Sequence, residues 1–191
     1  MKALTLHQPW ASLVADRKKR IETRSWGTAY RGPLAIHAGR TIDRDACKRF
    51  GYETRDIPAG AVVAIADLVD CVRIPNPAAP PDEYGDFTED RYGWILDSIR
   101  PLNTPVPAGG AIGLWNWSPP DDIILEYIVR EIVMQTGLSL QRVCDEIDDG
   151  IEAPKDLLTQ VNSALALADK LKVNVELIRP DIHLRETEED V

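Results

Sequence analysis

The sequence lacks several patterns on which functional assignments commonly rest. It has three cysteines, an odd number, and no two of them have the spacing of metal ligands. A disulfide framework or a zinc knuckle is therefore not expected, and a reducing compartment fits better. No run approaches the roughly 18 apolar residues that span a bilayer, and neither a glycine-rich phosphate loop nor a nucleophile elbow occurs. The cysteines are Cys47, Cys71 and Cys144.

The first residues also lack a targeting signal. MKALTLHQPW contains no continuous apolar segment of the kind that a secretory signal needs, so we expect a cytoplasmic protein without a membrane anchor. Asp67 and Asp70 lie three residues apart on a predicted strand and therefore face opposite sides. Because no other metal-ligand cluster stands out, we expect neither a metal nor another cofactor.

Charge is distributed unevenly along the chain. The net charge is −9, but residues 121–191 alone carry −10, and residues 1–40 carry +6. A local positive field attracts a polyanion even when the total charge is negative. The distribution therefore keeps nucleic acid among the candidate partners and places the attraction near the start of the chain.

Short apolar runs alternate with turn signals before residue 120. Two short helices are predicted over 9–18 and 43–51, with Pro9 suited to the first turn of one and Gly51 ending the other. Parallel βαβ units would need longer helices between the strands. The pattern predicts an α+β fold, a small, mostly antiparallel β-barrel with flanking short helices. The predicted strands are 2–6, 20–26, 33–38, 60–74, 92–102 and 110–117.

A different composition begins near residue 120, after the turn-rich NWSPPDD. We place a domain boundary there, between a domain of residues 1–120 and an acidic, mostly helical C-terminal extension of residues 121–191. The extension could bind a protein partner, or it could cover the basic opening segment as a nucleic-acid mimic. One of its predicted helices, 153–172, carries an apolar stripe: Leu157, Val161, Ala164, Leu165, Ala168 and Leu171.

Five segments in order resemble the ASCH domain family, which belongs to the PUA-like group of small β-barrels. They are HQPWASLV (7–14), KRIETRSW (19–26), RGPLAIHAG (31–39), AVVAIADLVDC and GAIGLW. The resemblance covers most of residues 2–117 and none of the extension. It implies a PUA-like barrel with a cleft beside the Lys/Glu/Arg segment, and a role in binding nucleic acid, often RNA.

The resemblance also extends to single positions. In the family pattern Gly-x-Lys-x-x-Glu-x-Arg, Lys19, Glu22 and Arg24 occupy the last three marked positions, and Arg17 stands at the glycine position. Family enzymes that hydrolyse acetylated cytidine use a Lys and a Thr three residues later. Glu22 stands at that threonine position here, so the resemblance does not imply this activity.

A basic cleft that binds RNA or a nucleotide is our first functional hypothesis. In a strand, Glu22, Arg24 and Trp26 share one face. Glu22 would orient Arg24 toward a phosphate or a base edge, Lys19 would add a point charge, and Trp26 would pack or stack at the rim. The residues predicted to contact the nucleic acid are His7, Lys19, Glu22, Arg24, Trp26, Tyr30 and Arg31.

The alternative hypothesis is an RNA- or nucleotide-processing hydrolase that uses the same cleft. Lys19 and Glu22 would act as an acid/base pair, and Arg24 would stabilise the developing charge. The two hypotheses differ in whether RNA is cleaved or only bound.

Each of these features also has a purely structural interpretation. Glu22 and Arg24 can form an ordinary surface ion pair. Trp10 is predicted to be a core residue at a barrel opening rather than a base platform, and His37, inside an apolar strand, to be structural rather than catalytic. The proline-rich segment 74–90 is either a lid or a connector, and connector is the simpler interpretation.

Overall fold

The chain divides into two compact units, one of residues 2–117 and one of Met1 with residues 118–191. The structure is a computed structural model, and it describes residues 1–75, 82–88, 90–148 and 157–175. The strands and helices, in chain order, are β1 (Lys2–Gln8), α1 (Trp10–Ala15), β2 (Ile21–Arg24), β3 (Gly32–Ile42), α2 (Arg44–Phe50), β4 (Ala61–Arg73), β5 (Tyr92–Pro107), β6 (Leu114–Asn116), α3 (Asp121–Thr136), α4 (Leu140–Asp148) and α5 (Leu157–Lys170).

The strands of the first unit form one six-stranded sheet in the order β2-β5-β4-β3-β1-β6. β1 runs parallel to β3, with Leu4 opposite Ile36, and the other neighbouring pairs are antiparallel. The α+β class and the mostly antiparallel pairing are as predicted. The closed barrel is not confirmed, because β2 and β6 are the two edges of the sheet and no described pairing joins them.

The core of this unit lies where α1 covers the centre of the sheet. α1 packs across β1, β3, β4 and β5. β3 and β4 bury side chains on consecutive positions rather than on alternate ones, so both of their faces are covered along these stretches. β3 is buried from Pro33 to Gly39, and β4 from Ala61 to Ala66. Trp94 on β5 is fully buried within the same cluster. The indole therefore belongs to the core and is not available to stack on a ligand.

Both short helices, α1 and α2, end in tight turns, and the sequence predicts the one at Gly51. Asp43 caps α2, accepting a hydrogen bond from the Ala46 amide at 2.9 Å, and Gly51 ends it with φ +77°. After α1, Arg17 adopts φ +60°, a left-handed conformation that disfavours residues with a Cβ atom. The amides of Lys18 and Lys19 then both donate to the carbonyl of Leu13. The tight turn directs the chain into β2.

The second unit contains the three helices α3, α4 and α5, which pack on one another. Gly137 ends α3 in the left-handed conformation, with φ +71°. The predicted stripe on α5 is confirmed in part: Val161, Ala164 and Ala168 are buried, whereas Leu157 is exposed. Leu167, which the prediction omitted, is also buried. The region beyond residue 175, including the acidic RETEEDV, lies outside the described residues.

Candidate functional site: a cavity with a buried Lys-Glu-Arg floor

A cavity of about 640 Å³ opens between β2, the start of α1, α2 and the segment 82–88, all in the first unit. This volume is within the range of about 300–1,000 Å³ that small-molecule sites occupy. It brings together Lys19, Glu22 and Arg24, the three residues of the sequence motif, and His7 at the end of β1. The remaining lining residues are Thr5, Leu6, Trp10, Thr23, Asp43, Asp45, Ala46, Arg49, Phe50, Glu83, Tyr84, Gly85 and Asp86.

The floor of the cavity is a buried ion cluster. The Glu22 carboxylate lies between two cations: Nζ of Lys19 is 3.4 Å from Oε2, and Nε of Arg24 is 3.0 Å from Oε1. Lys19 is 1% exposed and Glu22 is 8% exposed, whereas the Arg24 side chain retains 27%. Arg24 is thus the most exposed member of the cluster and the one best able to contact a ligand.

Backbone carbonyls complete the floor. Lys19 Nζ donates to the carbonyl of Tyr84 at 2.9 Å, and an Arg24 Nη donates to the carbonyl of Thr5 at 2.9 Å. Burying an ionised group is costly unless it is paired and hydrogen-bonded. All three charges are paired, and Lys19 and Arg24 each donate to a carbonyl, whereas Nε of Arg24 lies close to Glu22 without making a hydrogen bond. The carboxylate of Glu22 is therefore held in place by groups from both sides.

Local geometry explains why these three residues meet. Lys19 directly follows the left-handed turn at Arg17, and Glu22 and Arg24 alternate along β2, so the two side chains share one face. β2 pairs only with β5, where Glu22 is opposite Trp94. Because β2 is an edge strand, its other side is available to form a cavity wall.

Three aromatic rings and the segment 82–88 form the walls. Trp10 is half-buried: it packs against the core cluster, as the sequence predicts, and it also lines the cavity. The rings of Phe50 and Tyr84 meet edge to face, with centroids 5.3 Å apart. The Asp86 amide donates to Oγ1 of Thr23 at 3.0 Å. The described part of the predicted connector therefore lies against β2 and α2 and forms a wall of the cavity.

The lining as a whole is not basic. Three Lys or Arg side chains line the cavity together with five carboxylates. The predicted basic cleft is therefore not what the structure shows, because the other basic residues of the opening segment point elsewhere. Nε of Arg17 donates to the carbonyl of Ile99 at 3.1 Å, and Lys18 lies 5.1 Å from the centre of the Tyr52 ring.

Three predicted contact residues do not line the cavity. Trp26 follows the end of β2 and packs edge to face on Trp94, with centroids 4.7 Å apart; strand alternation does not extend to it, because β2 ends at Arg24. The Tyr30 hydroxyl donates to the carbonyl of Pro33, and burial together with nearby Asp67 raises the pKa of Tyr30 to about 12.

Arg31, the third of these residues, pairs with Asp70 at 2.7 Å. The hydrogen bond from the Cys71 amide, with help from Arg31, holds the pKa of the Asp70 carboxyl below its usual value. Arg31 is therefore engaged outside the cavity and provides a useful control for experiments on Arg24.

His37 lies in a separate, closed environment. It is 2% exposed, its Nε2 lies 3.0 Å from the carbonyl of Ala108, and its ring packs edge to face on Trp115. Burial lowers the pKa of His37. The structural interpretation of this histidine agrees with its surroundings.

The described part of the chain lacks two further features. No group of three or more His, Cys, Asp or Glu side chains there has an arrangement that could hold a metal ion. None of the helices in those residues has the length and apolar character to cross a membrane.

The fold and the site define an α+β protein with an open mixed sheet and a ligand-sized cavity at one edge. Residues 4–90, which include the whole motif, match the family model described as the ASCH domain. This part of the chain therefore carries an ASCH domain, as the sequence motif indicates.

Similar proteins include Activating signal cointegrator 1 of Mus musculus, which is 36% identical over 124 residues, covering 59% of this chain and 21% of that protein. The Homo sapiens protein of the same name is 37% identical over 81 residues, covering 36% of this chain and 14% of the relative. The chain thus spans about a fifth or less of these relatives. Among solved structures, ASCH from Zymomonas mobilis has a TM-score of 0.38 and 18% identity, covering 56% of this chain and 72% of that one.

Proposed function

We propose that this chain binds a nucleobase, carried by RNA, a nucleotide or a nucleoside, in the cavity beside β2. One observation carries the proposal: a buried Lys19-Glu22-Arg24 cluster forms the floor of a ligand-sized cavity with aromatic rings in its walls. Polar groups that converge in a concave recess with aromatic walls are typical of a small-ligand site. The ASCH domain supports the same class of ligand.

The floor offers groups that match the edge of a base. The Glu22 carboxylate can accept from an amino or imino group, and the guanidinium of Arg24 can donate to a ring nitrogen or a carbonyl. Lys19 is almost fully enclosed and already holds Glu22 and the Tyr84 carbonyl. We therefore assign Lys19 to positioning these groups and Arg24 to direct contact.

The walls add stacking. Trp10 and Tyr84 present rings to the cavity, and stacking of a base on an aromatic side chain contributes about 1–3 kcal/mol. Trp26, Tyr30 and Arg31 lie outside the cavity lining, so in this proposal they contribute only if a longer RNA continues across the surface. The predicted contact surface is thereby reduced to the cavity itself.

Binding measurements with a matched pair of arginine variants test the proposal. Purified full-length protein is titrated with the four ribonucleosides and with a mixed-sequence single-stranded RNA, using calorimetry and fluorescence anisotropy. Arg24→Gln should weaken binding at least tenfold, because a hydrogen bond to a charged group contributes about 1.5–3 kcal/mol. Arg31→Gln, which removes the same charge outside the cavity, should leave affinity unchanged. Equal losses in both variants, or no binding by any of these ligands, would contradict the proposal.

A hydrolase remains the second candidate, because Lys19 and Glu22 form a close, buried acid/base pair in the cavity wall. In that role one group would take a proton from a ribose hydroxyl while the other protonates the leaving oxygen. Labelled RNA is incubated with wild type and with Glu22→Gln, with and without a chelator. Cleavage that disappears in Glu22→Gln supports the hydrolase, and intact RNA bound by wild type eliminates it.

A further inference from the structure

The charges around the cavity are separated by depth. The floor is buried and carries net +1, from Lys19, Glu22 and Arg24. The mouth is exposed, and the charged residues that line it have a net charge of −3. Its charged residues are Asp43, Asp45, Arg49, Glu83 and Asp86. A ligand therefore meets negative charge at the opening and positive charge at the bottom.

The cations near the mouth are already committed to its carboxylates. Arg49 pairs with Glu83 at 3.1 Å, both about 61% exposed. Arg91 lies outside the lining and pairs with Asp86 at 3.4 Å. When Arg91 is counted with the mouth residues, the net charge of the mouth is −2. Hydrogen bonds from Thr88 hold the pKa of the Asp86 carboxyl below its usual value, so this group is ionised at neutral pH. Two other titratable side chains belong to the described lining: His7 is exposed and Tyr84 is half-buried.

The two layers act differently on the two parts of a nucleotide. A base that inserts to the floor meets donors on Arg24 and an acceptor on Glu22. A phosphate on the ribose would remain at the mouth, where carboxylates outnumber cations and like charges repel. The floor cannot compensate by binding the phosphate as well, because the inserted base occupies the open donors of Arg24, and Lys19 is enclosed between Glu22 and the Tyr84 carbonyl.

We propose that the carboxylates of the mouth select against phosphate, so that the cavity takes a nucleoside in preference to the corresponding 5′-monophosphate. This inference rests on the proposed function and narrows its ligand class. Asp45 and Glu83 are its specificity-determining residues: Asp45 lies in the first turn of α2, Glu83 lies on the opposite wall, and both side chains are exposed. The selection is electrostatic and therefore depends on ionic strength.

The size of the effect follows from Coulomb's law. A phosphate dianion about 8 Å from two or three net negative charges should bind at least tenfold more weakly at low salt. At physiological ionic strength the Debye length is about 8 Å, so the ratio should shrink to about four- to sevenfold. A preference that does not respond to salt would have a steric origin instead.

The experiment compares each of the four ribonucleosides with its 5′-monophosphate by calorimetry, at low and at physiological salt. Wild type should prefer the nucleoside at least tenfold at low salt. In the double variant Asp45→Asn/Glu83→Gln this preference should shrink several-fold, because the monophosphate is no longer repelled by these two carboxylates. Asp56→Asn, an exposed site that does not line this cavity, should retain the full preference.

The outcomes separate this inference from the proposed function. If monophosphate binds as tightly as nucleoside, or more tightly, the charge selection is refuted while base binding stands. If the preference is unchanged in the double variant, the carboxylates are not its cause. If neither nucleosides nor monophosphates bind, the proposed function itself fails, and this inference fails with it.

Discussion

Replacing Lys19 by methionine tests whether the floor of the cavity depends on the ammonium group or only on the bulk of the side chain. Methionine keeps the unbranched apolar stem but removes the contacts to Glu22 at 3.4 Å and to the Tyr84 carbonyl at 2.9 Å. Breaking a buried ion pair by removing one partner costs about 3–5 kcal/mol. Arg24 still pairs with Glu22, so we expect a loss at or just below the bottom of this range, about 2–3 kcal/mol of unfolding free energy.

The partner substitution and the double variant complete a cycle. Glu22→Gln leaves Lys19 and Arg24 close together without their anion, and we expect a loss of about 3 kcal/mol. The two single losses include the same contact, so the double variant should lose about 1–2 kcal/mol less than their sum. Denaturant unfolding, followed by tryptophan fluorescence and by circular dichroism, measures all four free energies.

An exposed ion pair provides the control for this cycle. Arg31 and Asp70 are closer together, at 2.7 Å, but their side chains are 38% and 55% exposed. Solvent screens such a pair, so a cycle through Arg31→Met and Asp70→Asn should show no coupling beyond error. If the Lys19–Glu22 cycle also shows none, the cluster is solvated, and the argument for a preorganised floor is wrong.

Three further predictions concern positions outside the floor. Arg17→Gly should be more stable than Arg17→Ala by about 0.5–1 kcal/mol in denaturant unfolding. At φ +60° the steric cost that alanine pays in the left-handed conformation exceeds the additional conformational entropy that glycine loses on folding. Equal stability of the two variants would argue against backbone strain at this position. Burial lowers the pKa of His37, so the unfolded chain binds a proton more readily and stability should fall as pH drops below about 6.5; His37→Gln should lose this part of the pH dependence. Deleting residues 121–191 should tighten RNA binding and steepen its salt dependence if the extension covers the site, and unchanged affinity would refute that role.

The sequence was sufficient to predict the strands and the floor because both depend on local patterns. Runs of β-branched and aromatic residues mark β4 and β5, and the spacing of Glu22 and Arg24 places both on one face of β2. Arg17 at the glycine position of the motif marked the turn that the structure shows to be left-handed. Each of these features depends on residues that lie only a few positions apart in the sequence.

The walls could not be predicted, because they are brought together from distant parts of the chain. Glu83 meets Arg49 across 34 positions, and the Tyr84 carbonyl meets Lys19 across 65. The sequence indicated a proline-rich connector there, since nothing local shows that it folds against β2. Trp26 was misplaced for the opposite reason: alternation was extended two residues beyond Arg24, where the strand ends.

This division between floor and walls has a consequence for specificity. The floor is built from the motif, so any chain that folds with these residues on an edge strand presents a carboxylate between two cations. The walls come from α2 and the segment 82–88, and their charges need not match those of the floor. Exposed carboxylates such as Asp45 and Glu83 can change without disturbing the buried cluster, because no described ion pair or side-chain hydrogen bond links them to it. If the proposed function holds, ligand choice can therefore vary through the mouth while the floor offers the same groups to a base edge.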